Sequence, residues 1–397
     1  MYQLKAGGCS VATFFLLAQY ERLASSAHHC QWFKAQTLWA EVKGNMMSMD
    51  GQELVSAKGL VYPCGEPPVQ GDIKQVAEGV FWVRMPLPFS LKWINLWLLR
   101  DGEGWTIVDT GVATEETRLH WRTIFETHLN GLPVKRVLIT HMHPDHVGLA
   151  GWLTRKFDAG LWMSRLEYLT CRTLVADTGR DAPDVAISFY RKAGWDEDSL
   201  DTYRVRFGGF GKAVSRLPDA YRRLSDGDVV TIGGRPWSVI MGCGHSPEHA
   251  CFFQPDLNVL ISGDQVLPRI SSNVSVFPTE PEGDPMTDWI NSCHKLKLAL
   301  PSDVLVLPSH NEPFVGLHRR LDDLIDNHEN ALTRLAAWIE EPKRVIDCFS
   351  PLFKRSIGAD VLGMATGEAI AHLNCLIARG HAIVQASADG VSMYRKL

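Results

Sequence analysis

Four side chains of the kind that bind metal stand within six residues of one another: His141, His143, Asp145 and His146, in the stretch RVLITHMHPDHVG from Arg136 to Gly148. Imidazole nitrogen and carboxylate oxygen are the donors a divalent ion such as zinc takes. The run Val137 to Thr140 predicts a buried strand, and a strand-to-loop junction can splay the four side chains around one small volume. Pro144 stiffens that loop and removes a backbone donor that would need a partner there. Such groups are costly to bury unless they are paired or coordinated. Three further candidates each follow a strand-like run. His245 sits on the glycine-rich turn Gly242–His245, Asp264 follows Gly263 after NVLIS, and His310 ends DVLVLPSH. His249 lies four residues beyond His245, but Pro247 breaks any helix that would align the two, so a supporting or structural role is expected for it. Asp109, in Asp109-Thr110-Gly111, is expected to hydrogen-bond the histidine loop.

These side chains need sheets to gather them. The chain has 397 residues, 45% hydrophobic and 21% charged, which predicts one large domain plus an accessory piece. A formal net charge of -5 provides no general electrostatic footprint for nucleic acid. Nine scattered cysteines without a Cys-x-x-Cys pair fit a reducing, cytoplasmic setting. No apolar run reaches the roughly 18 residues of a membrane span. Residues 1–48 read as a poorly ordered extension or a start codon assigned too early. From Ile73 the pattern predicts a β-meander closing at Asp109, with the apolar loop 87–93 either a pocket wall or ordinary core. A helix over 114–130 leads to the cluster strand, and a helix over 149–157 and a strand over 160–164 follow it. Residues 165–225 read as a helical insertion, a lid or a packing layer, where substrate-selecting residues are expected. A long helix over 319–340 stops at Glu341-Pro342. The tail then predicts helices over 344–355 and 366–379 and a hairpin turning at Asp389-Gly390, the order of a winged helix. Its second helix offers only His372, Asn374 and Arg379 to a nucleic acid, so the tail reads as a packing or dimerisation module. A homodimer is one assembly it would allow.

The set His141-x-His143-x-Asp145-His146, His245, Asp264 and His310 resembles the motifs of the metallo-β-lactamase superfamily, in the version that carries two metals. The resemblance covers roughly residues 73–315. It implies an α/β fold, a four-layer αββα sandwich over residues 49–318, joined by the 319–340 helix to a small winged-helix-like α+β domain at 341–397. By position, His141, His143 and His245 would hold one ion and Asp145, His146 and His310 the other, with Asp264 bridging. Two such ions, zinc first by ligand type and manganese or iron also satisfied, can share a water and make hydroxide available at neutral pH. Asp145 would orient that bridging hydroxide as well as bind metal. Arg269 and Asn273, on the loop after Asp264, are candidates to hold a substrate carboxylate or amide. Within the superfamily, β-lactamases typically lack the bridging aspartate, whereas glyoxalase II-like thioesterases, lactonases and RNA-processing nucleases keep all seven ligands. The expected activity is therefore hydrolysis of a small thioester or ester, acyl-CoA-like in kind. The alternatives are a phosphodiesterase or endoribonuclease acting on single-stranded RNA and a mononuclear iron sulfur-dioxygenase.

Overall fold

Alternation of side chains along the strands decides the layering. The computed structural model describes residues 59–88 and 91–397, and the extension expected at 1–48 lies outside them. Its first sheet runs in the order β1 (Ile73–Ala77), β2 (Val80–Pro86), β3 (Trp93–Arg100), β4 (Trp105–Val108), β5 (Val134–Leu138), β6 (Gly160–Ser164) and β7 (Arg222–Leu224). The first four form the expected antiparallel meander. The last four are parallel and so need crossovers. These are α1 (Glu115–Thr127), then α2 (Pro144–Val147) with α3 (Ala150–Phe157), then α4 (Arg165–Ala176), α5 (Asp184–Lys192) and α6 (Glu197–Arg206). The helical insertion is thus the crossover between β6 and β7, and its last residues are themselves a strand.

The second sheet has the order β13 (Phe314–Val315), β12 (Leu305–Pro308), β11 (Val259–Gly263), β10 (His249–Gln254), β9 (Arg235–Gly242) and β8 (Val229–Ile232). Helix α7 (Pro285–Ala299) makes the crossover between the parallel β11 and β12. In β3, Trp97 and Leu99 point to one side, where they pack with Trp237, Val239, Phe252 and Ile261 of the second sheet. Leu96 and Leu98 point to the other, against Trp121 and Ile124 of α1 and Leu153 of α3. The outer face of the second sheet, through Cys251, Leu260 and Val306, is covered by α7, by α8 (Leu317–Trp338) and by α10 (Leu362–Ala378). Helix, sheet, sheet, helix is the sandwich expected.

Two elements of the tail differ from those expected. The single helix expected at 344–355 is split into a 3-10 turn, Val345–Cys348, and the one-turn α9 (Phe349–Leu352). Pro351 has no N–H for the carbonyl four residues back, so a helix can start beside it but cannot run through it. Helix α10 starts earlier than expected and is followed by the hairpin β14 (Ala382–Ala386) and β15 (Ser392–Lys396). Its three polar candidates all have partners within the chain or are buried: His372 is buried, Asn374 donates to the carbonyls of Pro281 and Gly283, and the exposed Arg379 pairs with Glu329. Among the described residues, no helix is long and apolar enough to cross a membrane.

Candidate metal centre

Strand ends deliver the site. His141 to His146 follow β5, His245 follows β9, Asp264 follows β11 and His310 follows β12, so residues far apart in sequence meet at one edge of the sandwich. Close approach fixes the local backbone. Gly244 has φ +103, and a Cβ there would meet the Pro285 carbonyl and Trp289 at 2.6 Å. A Cβ at Gly148 would collide with the backbone of Pro144, Gly111 and Ala113, so the turn after the cluster requires glycine.

Three ring nitrogens converge first. His141 Nε2 lies 2.8 Å from His143 Nδ1, which lies 3.1 Å from His245 Nε2, and the His245 and His141 Nε2 atoms are 3.3 Å apart. The far side of each ring shows where its proton sits. His245 Nδ1 donates to the Asn273 carbonyl at 2.7 Å. Thr140 gives its hydroxyl proton to Asp109 Oδ2, leaving Oγ1 to accept from His141 Nδ1 at 3.0 Å. A neutral imidazole has one N–H, so the Nε2 atoms of His141 and His245 face each other as lone pairs.

The second set repeats this logic. His146 Nδ1 donates to Asp109 Oδ2 at 2.8 Å and His310 Nδ1 to the Trp93 carbonyl at 3.0 Å, turning both Nε2 atoms inward. Those atoms stand 3.7 and 3.4 Å from Asp145 Oδ2 and each 3.5 Å from Asp264. His146 Nε2, His310 Nε2 and Asp264 Oδ1 are buried without a hydrogen-bond partner. Buried lone pairs left unpaired are costly, and convergent sets of them suit a cation. The ligand atoms of His141, His143 and His245, of His141, His146 and Asp264, and of Asp145, His146 and His310 each lie within 4.8 Å of one another. All seven residues named from the sequence are therefore brought together, and Asp264 lies between His245 at 3.5 Å and His146 and His310 at 3.5 Å.

Burial sets the protonation of the first set. It holds the His141 imidazole well below its ordinary range, helped by the surrounding histidines, and lowers His143 to about 3 with His245 contributing. Both are then neutral donors at pH 7, as metal ligands must be. In the second set burial opposes charge on His146, but Asp145, Asp264 and Asp109 outweigh it and hold its pKa well above the usual value, so the acids draw a proton to the Nε2 position that a cation would displace on binding. Burial likewise works against the Asp264 carboxylate, yet His310 and His146 keep it ionised.

The supports explain the rest. Asp109, at φ +60, also accepts from the Thr140 N–H at 2.8 Å, so it grips the histidine loop at three points, as its motif suggested. His249 Nε2 accepts the Asp264 N–H at 3.0 Å and its ring stacks on His141 at 4.7 Å. Its inward lone pair is thus already taken. Arg269 and Asn273, expected as substrate contacts, each have partners within the chain. Arg269 is half exposed, paired with Glu312 at 2.9 Å and laid over the Tyr62 ring. The Asn273 amide is occupied by Glu368 and Ser275, and it is the backbone carbonyl of Asn273 that meets His245.

One supporting residue escaped the sequence reading. Glu167 of α4 is fully buried and accepts from the Met142 N–H at 2.9 Å and the Glu248 N–H at 2.7 Å, tying the cluster loop to the His245 loop. Glu248 returns the contact by accepting from the Leu166 N–H at the start of α4. The available signal was an acid on the stripe Ser164, Glu167, Tyr168 and Cys171, which is otherwise the buried face of that helix.

Comparison with known proteins agrees with this geometry. Residues 94–310 match the model of the metallo-beta-lactamase superfamily, and residues 332–397 that of the metallo-beta-lactamase-like C-terminal domain. The crystal structure of a beta-lactamase domain protein from Burkholderia ambifaria is 43% identical, with a TM-score of 0.78 over 85% of this chain and 98% of that one. A probable metallo-hydrolase, YqjP of Bacillus subtilis, is 23% identical over 75% of this chain and 92% of its own length. The human acyl-coenzyme A thioesterase MBLAC2 is 25% identical over 61% of this chain and 81% of its own length.

Proposed function

The chain belongs to the metallo-beta-lactamase superfamily of metal-dependent hydrolases, and from that premise we propose that it hydrolyses a small thioester or ester, acyl-CoA-like in kind. The observation that carries the reading is the convergence of inward-facing donors around Asp264, whose carboxylate lies 3.5 Å from His245 on one side and 3.5 Å from His146 and His310 on the other. His141, His143 and His245 would hold one divalent ion, and Asp145, His146 and His310 the other, zinc being the first choice by donor type. When bound, such ions supply Lewis acidity, lowering the pKa of a shared water and polarising the oxygen at which negative charge develops. Asp145 is half-buried, and although burial raises its pKa, His146 and His310 lower it further, so it is ionised at neutral pH. An ionised carboxylate there accepts a hydrogen of the attacking water and aims its lone pair at the acyl carbon.

A thioester suits a site built from bases. Its thiol has a pKa of about 8.5 and leaves without needing a proton, whereas an amine must be protonated on departure. The similarity to a named acyl-coenzyme A thioesterase supports the same class. Beside His310 a cavity of about 90 Å³ is lined by Leu91, Trp93, Asn311 and Arg84, whose guanidinium lies 4.5 Å over the Trp93 ring. Burial lowers the Arg84 pKa, while Glu312, which lines the same cavity, and Glu66 offset that cost, so its positive charge is already balanced within the chain.

The test is turnover by metal-loaded protein of a panel of acyl-CoA thioesters and simple esters beside a labelled single-stranded RNA, with Asp145→Ala as control. Thioester or ester hydrolysis that falls by at least a hundredfold in the control is expected. RNA cleavage without acyl hydrolysis would replace this reading with the phosphodiesterase one.

A further inference from the structure

The segment that follows Asp264 is gripped from behind by the two long C-terminal helices. Buried Arg320 of α8 donates to the carbonyls of Leu267 and Ile270, and His328 of the same helix meets the Ser271 hydroxyl at 3.1 Å. From α10, the Gly367 carbonyl accepts the Val276 N–H at 3.1 Å, and a Cβ at Gly367 would meet Ser275 at 2.8 Å. Between these contacts one side chain reaches the site indirectly. Glu368 Oε2 accepts from Asn273 Nδ2 at 2.8 Å, while Asn273 Oδ1 accepts the Ser275 hydroxyl at 2.6 Å. With both ends of its amide fixed, Asn273 presents its carbonyl to His245 Nδ1 at 2.7 Å.

We propose that Glu368, in the C-terminal domain, is a positioning residue for the metal centre: by holding Asn273 it fixes the tautomer and aim of His245. The inference rests on His245 being a metal ligand. An acid is an unfavourable choice at this place for stability alone. Burial pushes the Glu368 carboxyl up to about 7, and its direct partner is a neutral amide rather than a cation. An apolar residue would pack there at lower cost. What an apolar residue cannot do is accept the Asn273 side-chain N–H, and without that bond one end of the amide loses its hold and the neighbouring carbonyl that orients His245 is less closely fixed. Groups that orient a ligating histidine commonly change metal affinity about 10- to 100-fold when removed. Glu368 acts one residue further out, so the lower end of that range applies.

The experiment uses the full chain loaded with cobalt(II) or zinc(II), with each ion's affinity read by chelator competition and the cobalt absorption spectrum recorded. Glu368→Ala is expected to weaken one of two ions about tenfold and to shift the cobalt bands, leaving the other ion within about twofold. Glu368→Gln, which keeps an acceptor for Asn273, is expected to restore both. Asn273→Ala should reproduce the loss, and the double variant should lose no more than either single one, since the two act in series. Both ions held with wild-type affinity and an unchanged spectrum in Glu368→Ala would overturn the proposal, as would losses that add in the double variant. Failure of the wild-type chain to bind any ion would overturn the ligand reading of His245 instead, and the two failures are distinct. Thermal unfolding of the metal-free variants checks that a folded chain is being compared, and the glutamine variant serves if alanine does not fold.

Discussion

Glu167→Ala removes a side chain that ties both halves of the first histidine set together. The carboxylate accepts the Met142 N–H, between His141 and His143, and the Glu248 N–H, three residues beyond His245. Alanine leaves both donors without their acceptor in a place where Glu167 has no exposure to solvent. An orphaned buried donor costs about 1–3 kcal/mol, so the pair sets a range of about 2–6 kcal/mol. Two effects reduce it. Burial raises the Glu167 pKa, so the wild-type carboxylate is itself held at a cost that alanine relieves. Water entering the vacated space can also satisfy one of the donors. A net loss of about 3 kcal/mol is expected, by urea unfolding of metal-free protein at neutral pH. Glu167→Gln keeps one acceptor oxygen and should lose roughly half as much. Metal loading of the folded alanine variant should show affinity at one ion lowered about tenfold, because the two loops no longer share an anchor. A stability loss below about 0.5 kcal/mol together with unchanged metal affinity would refute the reasoning.

Other predictions follow from the same contacts. Asp264→Ala removes the carboxylate between the two sets, and bound metal measured by elemental analysis should fall toward one ion per chain; two tightly held ions would remove it from the ligand set. His249→Ala should keep nearly full metal content while lowering thermal stability, because it deletes the acceptor of the Asp264 N–H and the stack on His141. Loss of an ion in that variant would make His249 a ligand. Glu368→Gln should become more stable relative to wild type as pH rises. The folded pKa of Glu368 is raised to about 7, so its stabilising contribution is fully present below the unfolded value near 4.5 and is lost as pH climbs through 7. With some allowance for solvent access, the wild type should lose about 2 kcal/mol against the variant between pH 4 and pH 8, read by denaturant unfolding. His372 and His328, behind Glu368, are held by burial at about 4 and about 3, so they stay neutral across most of that window.

What was legible in the sequence was whatever repeats or clusters. Leu96, Trp97, Leu98 and Leu99 alternate toward the two faces of one strand, and that period, with the glycines and acids between runs, is enough to place the meander. The cluster from His141 to His146 is legible because side chains of this kind have few other reasons to crowd one strand end. Glu167 and Glu368 carry no such mark. Each is a single acid within a helix, and its partners are a loop N–H or amide brought near by packing, 81 residues away for Glu248 and 95 for Asn273. Asn273 was visible as a polar residue near the site, but its contribution is made by a backbone carbonyl, which every residue possesses. Arg269 was in the right loop but faces Glu312, a pairing that only the juxtaposition of the Asp264 and His310 loops creates. The break ahead of Pro351 shows in the sequence only as one missing N–H, the one that the Asp347 carbonyl would have accepted in a continuous helix.

The central claim is that the seven residues form a two-ion centre, and its most direct test is the number of ions the folded chain retains. Purified metal-free protein would be loaded with zinc, passed over a desalting column and assayed for metal against protein concentration. The account predicts close to two ions per chain in the wild type, with loss of one ion in His245→Ala and in His310→Ala. A wild-type chain that retains no ion, or holds two that survive both substitutions, would contradict it.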